Sequence, residues 1–99
     1  MRRHFLIVSN GGNCKSLHFL IRQRGHVVAY CKEVENMMEV ARSHAKYHRK
    51  KYFDFAILNF NLDDPSIRKK ISEFREGYPD TKIVFLSDIT NMKDFLDNA

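Results

Sequence analysis

The sequence predicts a single α/β domain, residues 1–99, in which helices cover both faces of a parallel β-sheet. The first observation is Tyr52–Pro65, where a near-continuous apolar run ends in a polar segment. A strand that is apolar on both faces is typical of the middle of a parallel sheet. The second observation is that short apolar runs alternate with amphipathic segments along the whole chain. The third is the length of 99 residues, which suits one domain.

Each element follows from the spacing of its apolar residues and from local start and stop signals. Four strands are predicted, at Phe5–Ser9, His26–Cys31, Phe53–Asn59 and Lys82–Ser87. Four helices are predicted, from Asn13 to about Arg24, from Glu33 to Lys51, from Pro65 to the turn at Gly77, and from Thr90 to about Asp97. The order is therefore β-α-β-α-β-α-β-α, and right-handed crossovers place helices on both sides of the sheet.

The helix signals also predict caps and buried stripes. Asn13 and Asp64 are the predicted N-caps, with Pro65 at the first helical position and Gly25 just after the first helix. The predicted inner stripes are Leu17, Phe19 or Leu20, and Ile21 in the first helix; Val34, Met37, Met38, Ala41 and Ala45 in the second; Ile67, Ile71 and Phe74 in the third; and Ile89, Met92, Phe95 and Leu96 at the last.

Composition excludes several classes of protein. Hydrophobic residues make up 43% of the chain, which is ordinary for a globular domain, and no window approaches the apolar length of a membrane span. We therefore expect a cytoplasmic protein with no membrane partner. Two cysteines, Cys14 and Cys31, are too few for a disulfide framework, so reduced thiols are expected.

Charge is distributed unevenly along the chain. Residues 1–51 carry 11 Lys and Arg against 3 Asp and Glu, a net +8, whereas residues 52–99 carry 6 against 9, a net −3. A basic half of this kind suits an acidic protein surface, a nucleic acid or an anionic membrane surface, and its sign alone does not choose among them.

The strands resemble those of a bacterial response-regulator receiver domain, the flavodoxin-like phosphoacceptor module. The resemblance is carried by the segments FLIVSN, FDFAILN and KIVFLS and spans nearly the whole chain. It implies a three-layer sandwich with a sheet of about four strands in the order 2-1-3-4, truncated before the fifth strand and fifth helix that such domains have.

In receiver domains an acidic pair ends the first strand, a phosphoacceptor Asp ends the third, and a Thr or Ser ends the fourth. The matching residues here are Ser9 and Asn10, then Asn59, then Ser87, so only Ser87 keeps the residue type of the family. Phosphoryl transfer to a carboxylate needs an ionised Asp and a Mg²⁺ held by carboxylates. The resemblance therefore implies a vestigial phosphoacceptor pocket, with no standard phosphorylation, no metal or other cofactor, and no enzymatic turnover.

Other candidate sites have weaker signals. Asp63, Asp64 and Asp88 fall near the same sheet edge, but a helix cap and solvated loop charges explain them better than a displaced metal site.

The loop Gly11–Ser16 lies where a phosphate-binding loop would lie, yet it lacks the glycines of the Walker A motif. Cys14 falls in the first turn of a helix beside Lys15, which lowers a thiol pKa, but an ordinary packing role is favoured.

The second helix carries histidines and a basic run. His44 and His48 have the spacing of two metal ligands, but no third ligand is evident and a solvated basic helix is the favoured interpretation. The candidate basic interaction face comprises Arg42, Lys46, Arg49, Lys50 and Lys51. Such a run of cations can bind successive phosphates of a nucleic-acid backbone, although no nucleic-acid-binding module is recognisable.

We therefore expect a non-catalytic, phosphorylation-independent, receiver-like protein-interaction domain, as in the N-terminal regulatory part of a bacterial transcriptional or two-component regulator. The alternative is a small basic nucleic-acid-associated protein, and an enzyme that uses the Gly11–Ser16 loop ranks third.

The missing fifth strand and helix also predict self-association. The edge of strand four and the sheet face beside Leu17–Ile21 would both be open, so we expect a twofold homodimer through one or both. The alternative is that Ile89–Ala99 folds over the gap and leaves a monomer.

Overall fold

The computed structural model describes residues 2–10, 14–60 and 63–99, in which strands and helices alternate along the chain. The strands are β1 (His4–Ser9), β2 (Val27–Cys31), β3 (Phe55–Asn59) and β4 (Lys82–Phe85). The α-helices are α1 (Lys15–Gln23), α2 (Met37–His48), α3 (Pro65–Gly77) and α4 (Met92–Asp97). Single 3₁₀ turns, at Val34–Asn36 and Leu86–Asp88, precede α2 and follow β4.

The four strands form one parallel sheet in the order β2-β1-β3-β4, which confirms the predicted fold class. The interior strands β1 and β3 pair in register from Phe5 opposite Phe55 to Ser9 opposite Asn59. Both strands are buried on both faces, as their continuous apolar runs require. Their carboxyl ends therefore meet at one edge of the sheet.

Alternation along the strands divides the core into two layers. Leu6, Val8, Ala56 and Leu58 pack against α2 and α3 on one face. Phe5, Ile7, Phe55 and Ile57 pack against α1 and α4 on the other. Helix α1 thus lies on one face of the sheet, and α2 and α3 lie on the other. This is expected for right-handed crossovers, because the connection from β1 to β2 runs in one direction along the sheet and the later connections run in the opposite direction.

Helix α1 shows a narrower buried stripe than predicted. Leu17 and Ile21 are buried four residues apart, whereas Phe19 is 62% and Leu20 39% exposed, so the expectation that one of these joins the inner stripe is wrong. A residue two positions from Leu17 projects from nearly the opposite side of a helix. Gly25 has φ +82°, which confirms its role after the helix, while the predicted cap Asn13 lies outside the described residues.

Helix α2 ends at His48, three residues before the predicted end at Lys51. Arg49 adopts a left-handed conformation with φ 56°, which turns the chain out of the helix. The first predicted turn of this helix is instead the 3₁₀ turn at Val34–Asn36. The buried stripe of α2 is Met37, Ala41 and His44, so a histidine continues the apolar face.

The last helix covers the face beside α1. Leu96 of α4 is buried, Phe95 lies edge-on to Phe55 with ring centroids 5.6 Å apart, and Asp97 forms an ion pair with Arg24 at the end of α1. The expectation of an uncovered face beside Leu17–Ile21 is therefore wrong, and the alternative, that Ile89–Ala99 folds over the gap, is what the structure shows. The outer edge of β4 has no partner strand among the described residues.

Candidate functional site

Two of the predicted pocket residues, Ser9 and Asn59, lie at the carboxyl ends of β1 and β3. Ser9 and Asn59 lie opposite each other in register, and the side-chain amide of Asn59 donates to the hydroxyl oxygen of Ser9 at 3.3 Å. Ser9 is wholly buried, whereas Asn59 is exposed. The hydroxyl of Tyr30, at the end of β2, donates to the carbonyl oxygen of Ser9 at 2.7 Å. The polar groups of three neighbouring strands thus bind one another.

The other two residues of the predicted pocket are exposed at the same edge of the sheet. Asn10 follows β1 directly. The prediction that Ser87 ends the fourth strand is wrong, because β4 ends at Phe85 and a 3₁₀ turn begins at Leu86. The structure therefore brings Ser9 and Asn59 together and places Asn10 and Ser87 on the surrounding surface.

This arrangement carries no negative charge of its own. A serine hydroxyl and an asparagine amide are neutral, whereas a Mg²⁺ site is built mainly from carboxylate oxygens and water. The hydrogen bond from Asn59 ends on the hydroxyl oxygen of Ser9, a side chain that is wholly buried. Chemically, the pair is a neutral hydrogen bond that links the ends of β1 and β3.

The nearby aspartates have structural assignments. Asp64 caps α3, accepting from the backbone N–H of Ser66 at 2.9 Å and from its hydroxyl at 2.8 Å, as predicted for an N-cap. These hydrogen bonds, first that of the hydroxyl, lower the pKa of Asp64. Asp63 and Asp88 are exposed. Within the described ranges, no three His, Cys, Asp or Glu side chains are grouped so as to hold a metal ion.

The loop Gly11–Ser16 is only partly described, because Gly11, Gly12 and Asn13 lie outside the described residues. Cys14 is buried at the start of α1, where its carbonyl oxygen accepts from the N–H of His18 at 2.9 Å. Cys31 is also buried, and its thiol donates to the carbonyl oxygen of Glu33 at 2.9 Å. Burial raises the pKa of Cys31, so this thiol stays protonated and unreactive at neutral pH.

The predicted basic face is divided by the end of α2. Arg42 and Lys46 lie on the helix, whereas the remaining three cations follow it, in the turn that begins with Arg49. Lys50 forms a 3.0 Å ion pair with Asp54, which neutralises part of the run. The five cations therefore do not share one helical face.

A histidine cluster joins the start of β1 to the end of α2, which the sequence analysis missed. His4 Nδ1 and His44 Nε2 are 2.7 Å apart, and the ring of His48 lies 4.3 Å from that of His44. His44 is buried and stacks on Phe53, with ring centroids 4.1 Å apart. The available signal was that His44 continues the stripe of Met37 and Ala41 at helical spacing.

The electrostatics of this cluster favour neutral rings. The pKa of His44 is lowered to about 4, first by burial and then by the neighbouring His48, His4 and Lys50. Burial also lowers the pKa of His4, again with help from Lys50 and His48.

Asp54 supplies the nearest negative charge to the histidine cluster. Burial raises its pKa, but the hydrogen bonds from the N–H of His4 at 2.7 Å and from Lys50, together with the charges of Lys50 and Arg3, outweigh burial. The pKa of Asp54 is therefore lowered overall. Its carboxylate binds the backbone N–H of His4 and the side chains of Arg3 and Lys50. Among the described residues, the paired rings of His4 and His44 have no ion-pair contact with a carboxylate.

The geometry of the histidine cluster is that of a hydrogen bond and not of a metal centre. Two imidazole nitrogens bound to one tetrahedral zinc ion at about 2.1 Å lie about 3.4 Å apart. The 2.7 Å separation of His4 and His44 is shorter and suits one shared hydrogen.

None of the protein-family models, curated proteins and solved structures compared with this chain matches it. The fold and the site are therefore interpreted from their own geometry. Among the described residues, no helix has both the length and the apolar character needed to cross a bilayer.

Proposed function

We propose that this chain is a non-catalytic, phosphorylation-independent, receiver-like domain that acts through protein–protein interaction in signalling or transcription control. The observation that carries the proposal is the hydrogen bond from Asn59 to Ser9. Two neutral side chains, joined by one hydrogen bond, occupy the positions that, in the receiver resemblance, hold the phosphoacceptor and one of the metal-binding carboxylates. We therefore propose that the domain acts by binding other proteins through its surface and not by catalysing a reaction.

The strand order and the distribution of helices support the receiver-like part of this proposal. Interior strands β1 and β3 place their ends at the point where the strand order reverses, which is where open α/β sheets place their sites. The domain departs from the receiver pattern in α4, which covers the face of the sheet on which α1 packs. The interaction surface that we propose is accordingly the outer edge of β4, with a second copy of the chain as one partner.

The test treats ¹⁵N-labelled protein with beryllofluoride and Mg²⁺ and follows the amide signals of Ser9 and Asn59. We expect no saturable shift, because neither residue offers a carboxylate to the metal or to the phosphoryl analogue. Sedimentation of the same samples should show association that does not respond to beryllofluoride. A receiver domain with an intact acidic pair, treated in parallel, supplies the positive control. Saturable, Mg²⁺-dependent shifts at the sheet edge would refute the proposal.

A further inference from the structure

The outer face of α1 combines an exposed aromatic ring with basic side chains. Lys15, His18, Phe19 and Arg22 are spaced i, i+3, i+4 and i+7, so they form one stripe along the helix. Phe19 stands in the middle of this stripe with 62% of its surface exposed. Its neighbours in the adjoining groove of about 490 Å³ are the three basic residues and Gln23.

A second aromatic ring lies across the cations from Phe19. Tyr30 on the edge strand β2 is 46% exposed and lines a groove of about 360 Å³ with Cys14, Lys15 and His18. Because its hydroxyl is held by the carbonyl oxygen of Ser9 at 2.7 Å, the ring has a fixed position. The two grooves share Lys15 and His18, so they form one continuous surface, which we call the α1 face.

The α1 face belongs to a part of the chain without acidic residues. Residues 1–32 contain six Lys and Arg and no Asp or Glu. Among the described residues, neither Lys15 nor Arg22 forms an ion pair, in contrast to Lys50 after α2 and to Arg24 at the end of α1. Two cations and two exposed rings are therefore available to a partner.

We infer that the α1 face binds single-stranded nucleic acid, with backbone phosphates on Lys15 and Arg22 and bases stacked on Phe19 and Tyr30. Nonspecific single-strand binding combines a basic track with aromatic stacking platforms, and this face supplies both. This function goes beyond protein interaction at the edge of β4. It also places the nucleic-acid contact on α1 instead of on the divided basic run after Arg42.

The arrangement of the rings favours a nucleic acid over an acidic protein. A protein interface has an apolar core surrounded by a polar rim. Here the order is reversed, because the rings of Phe19 and Tyr30 line separate grooves that meet at Lys15 and His18. Unpaired bases present flat faces beside their own phosphates, which matches a ring set among cations. A duplex hides those faces, so the proposal is restricted to single strands.

The experiment measures fluorescence anisotropy of labelled oligothymidylate and oligouridylate of about 15 nucleotides, between about 50 and 200 mM salt. Phe19→Ala should weaken binding about tenfold, because it removes the ring on which one base stacks. Lys15→Gln combined with Arg22→Gln should reduce the slope of log K against log salt by about 1.4, at about 0.7 per phosphate contact. Phe19, Lys15 and Arg22 are exposed, so the variants should fold, and melting curves serve to check this.

Matched controls separate the α1 face from general charge. Tyr47→Ala removes an 84% exposed ring from α2, and Arg68→Gln combined with Lys69→Gln removes two exposed charges from α3. These variants should keep the affinity and the slope of the wild type. Equal losses in the controls, or absence of binding at the lowest salt, would overturn the inference. Displacement of the oligonucleotide by polyglutamate as effectively as by unlabelled strand would overturn it in favour of an acidic protein.

Discussion

His4 Nδ1 and His44 Nε2 lie 2.7 Å apart, so the two imidazoles are joined by one hydrogen bond. One ring donates and the other accepts, which requires at least one neutral ring. A second proton would make both facing nitrogens donors, beside Lys50 and away from water. The contact between β1 and α2 is therefore sensitive to acid.

We predict that stability falls between about pH 6.5 and pH 4. The pKa of His44 is lowered to about 4 in the folded state, from 6.5 when unfolded, and that of His4 is also lowered. The unfolded chain thus binds more protons in this range, and the favourable contribution of the neutral rings is lost as pH falls. Urea unfolding should show a loss of about 2 kcal/mol across it.

The control for this prediction is His44→Phe, which keeps an aromatic ring against Phe53 without a titrating group. This variant should reduce the pH dependence between about pH 6.5 and pH 4.5 without abolishing it, because the pKa of His4 is also lowered. His18→Gln changes a histidine on α1, outside the cluster, and should leave the dependence intact. Wild-type stability that is constant from pH 7 to 4.5 would contradict the prediction.

Asn59→Asp should not create a phosphorylation site. The new carboxylate would face Ser9 and not a second carboxylate, so Mg²⁺ would still lack a ligand set. Loss of the amide donor to Ser9 should cost about 1 kcal/mol, a modest value because Asn59 is exposed. Acetyl phosphate labelling with Mg²⁺ and urea unfolding are the measurements.

Asn59→Ala is the matched control, because it removes the same donor without adding a charge. The two variants should unfold within about 0.5 kcal/mol of each other if the hydrogen bond dominates. Mg²⁺-dependent labelling of Asn59→Asp at wild-type stability would show that the pocket is more competent than its neutral residues indicate.

Self-association is predicted at the outer edge of β4, since α4 already covers the α1 side of the sheet. Val84 and Phe85 pack into opposite core layers, so replacing either by Lys would also destabilise the monomer. Hydrogen exchange avoids this problem: amides of β4 should gain protection as protein concentration rises, while the other edge strand, β2, should not. A monomer in sedimentation at high concentration would refute the prediction.

Two glycines should respond in opposite ways to alanine. Gly25 has φ +82°, so Gly25→Ala should destabilise the fold by about 1 kcal/mol although space is open around it. A Cβ on Gly77 would lie 2.9 Å from the terminal methyl of Met38, which can move. Gly77→Ala should therefore be neutral or stabilising by up to about 0.5 kcal/mol, because alanine favours the helix. Thermal unfolding of the pair checks both signs.

Local patterns were sufficient to predict the strands and a parallel sheet with the third strand in its interior, because a strand that is apolar on both faces is typical of the middle of such a sheet. The order β2-β1-β3-β4 was predicted from the receiver resemblance and not from these patterns. They did not predict the end of α2, since Arg49 is a good helix former and its left-handed conformation follows from the tertiary turn into β3. They also failed to place His4 beside His44, because 40 residues separate the two and no local signal spans that distance.

The candidate site was predictable in its composition but not in its contacts. Ser9 and Asn59 could be aligned at the sheet edge from the strand ends alone. The hydrogen bond from Tyr30 depends on how β2 ends, and the exposure of Phe19 depends on the exact rotation of α1. Both are decided by packing, which periodicity describes only to within a residue or two.

The pairing of β1 with β3 also constrains how the chain can fold during synthesis. Phe5 of β1 pairs with Phe55 of β3, so β1 is synthesised 50 residues before the strand with which it pairs in the interior of the sheet. Until then β1 has only the edge strand β2 beside it, and an isolated pair of strands is marginally stable. Because a long loop must close before β1 and β3 can pair, we expect the folding nucleus to form late in synthesis. Nascent chains that have not yet reached β3 should therefore depend on chaperones.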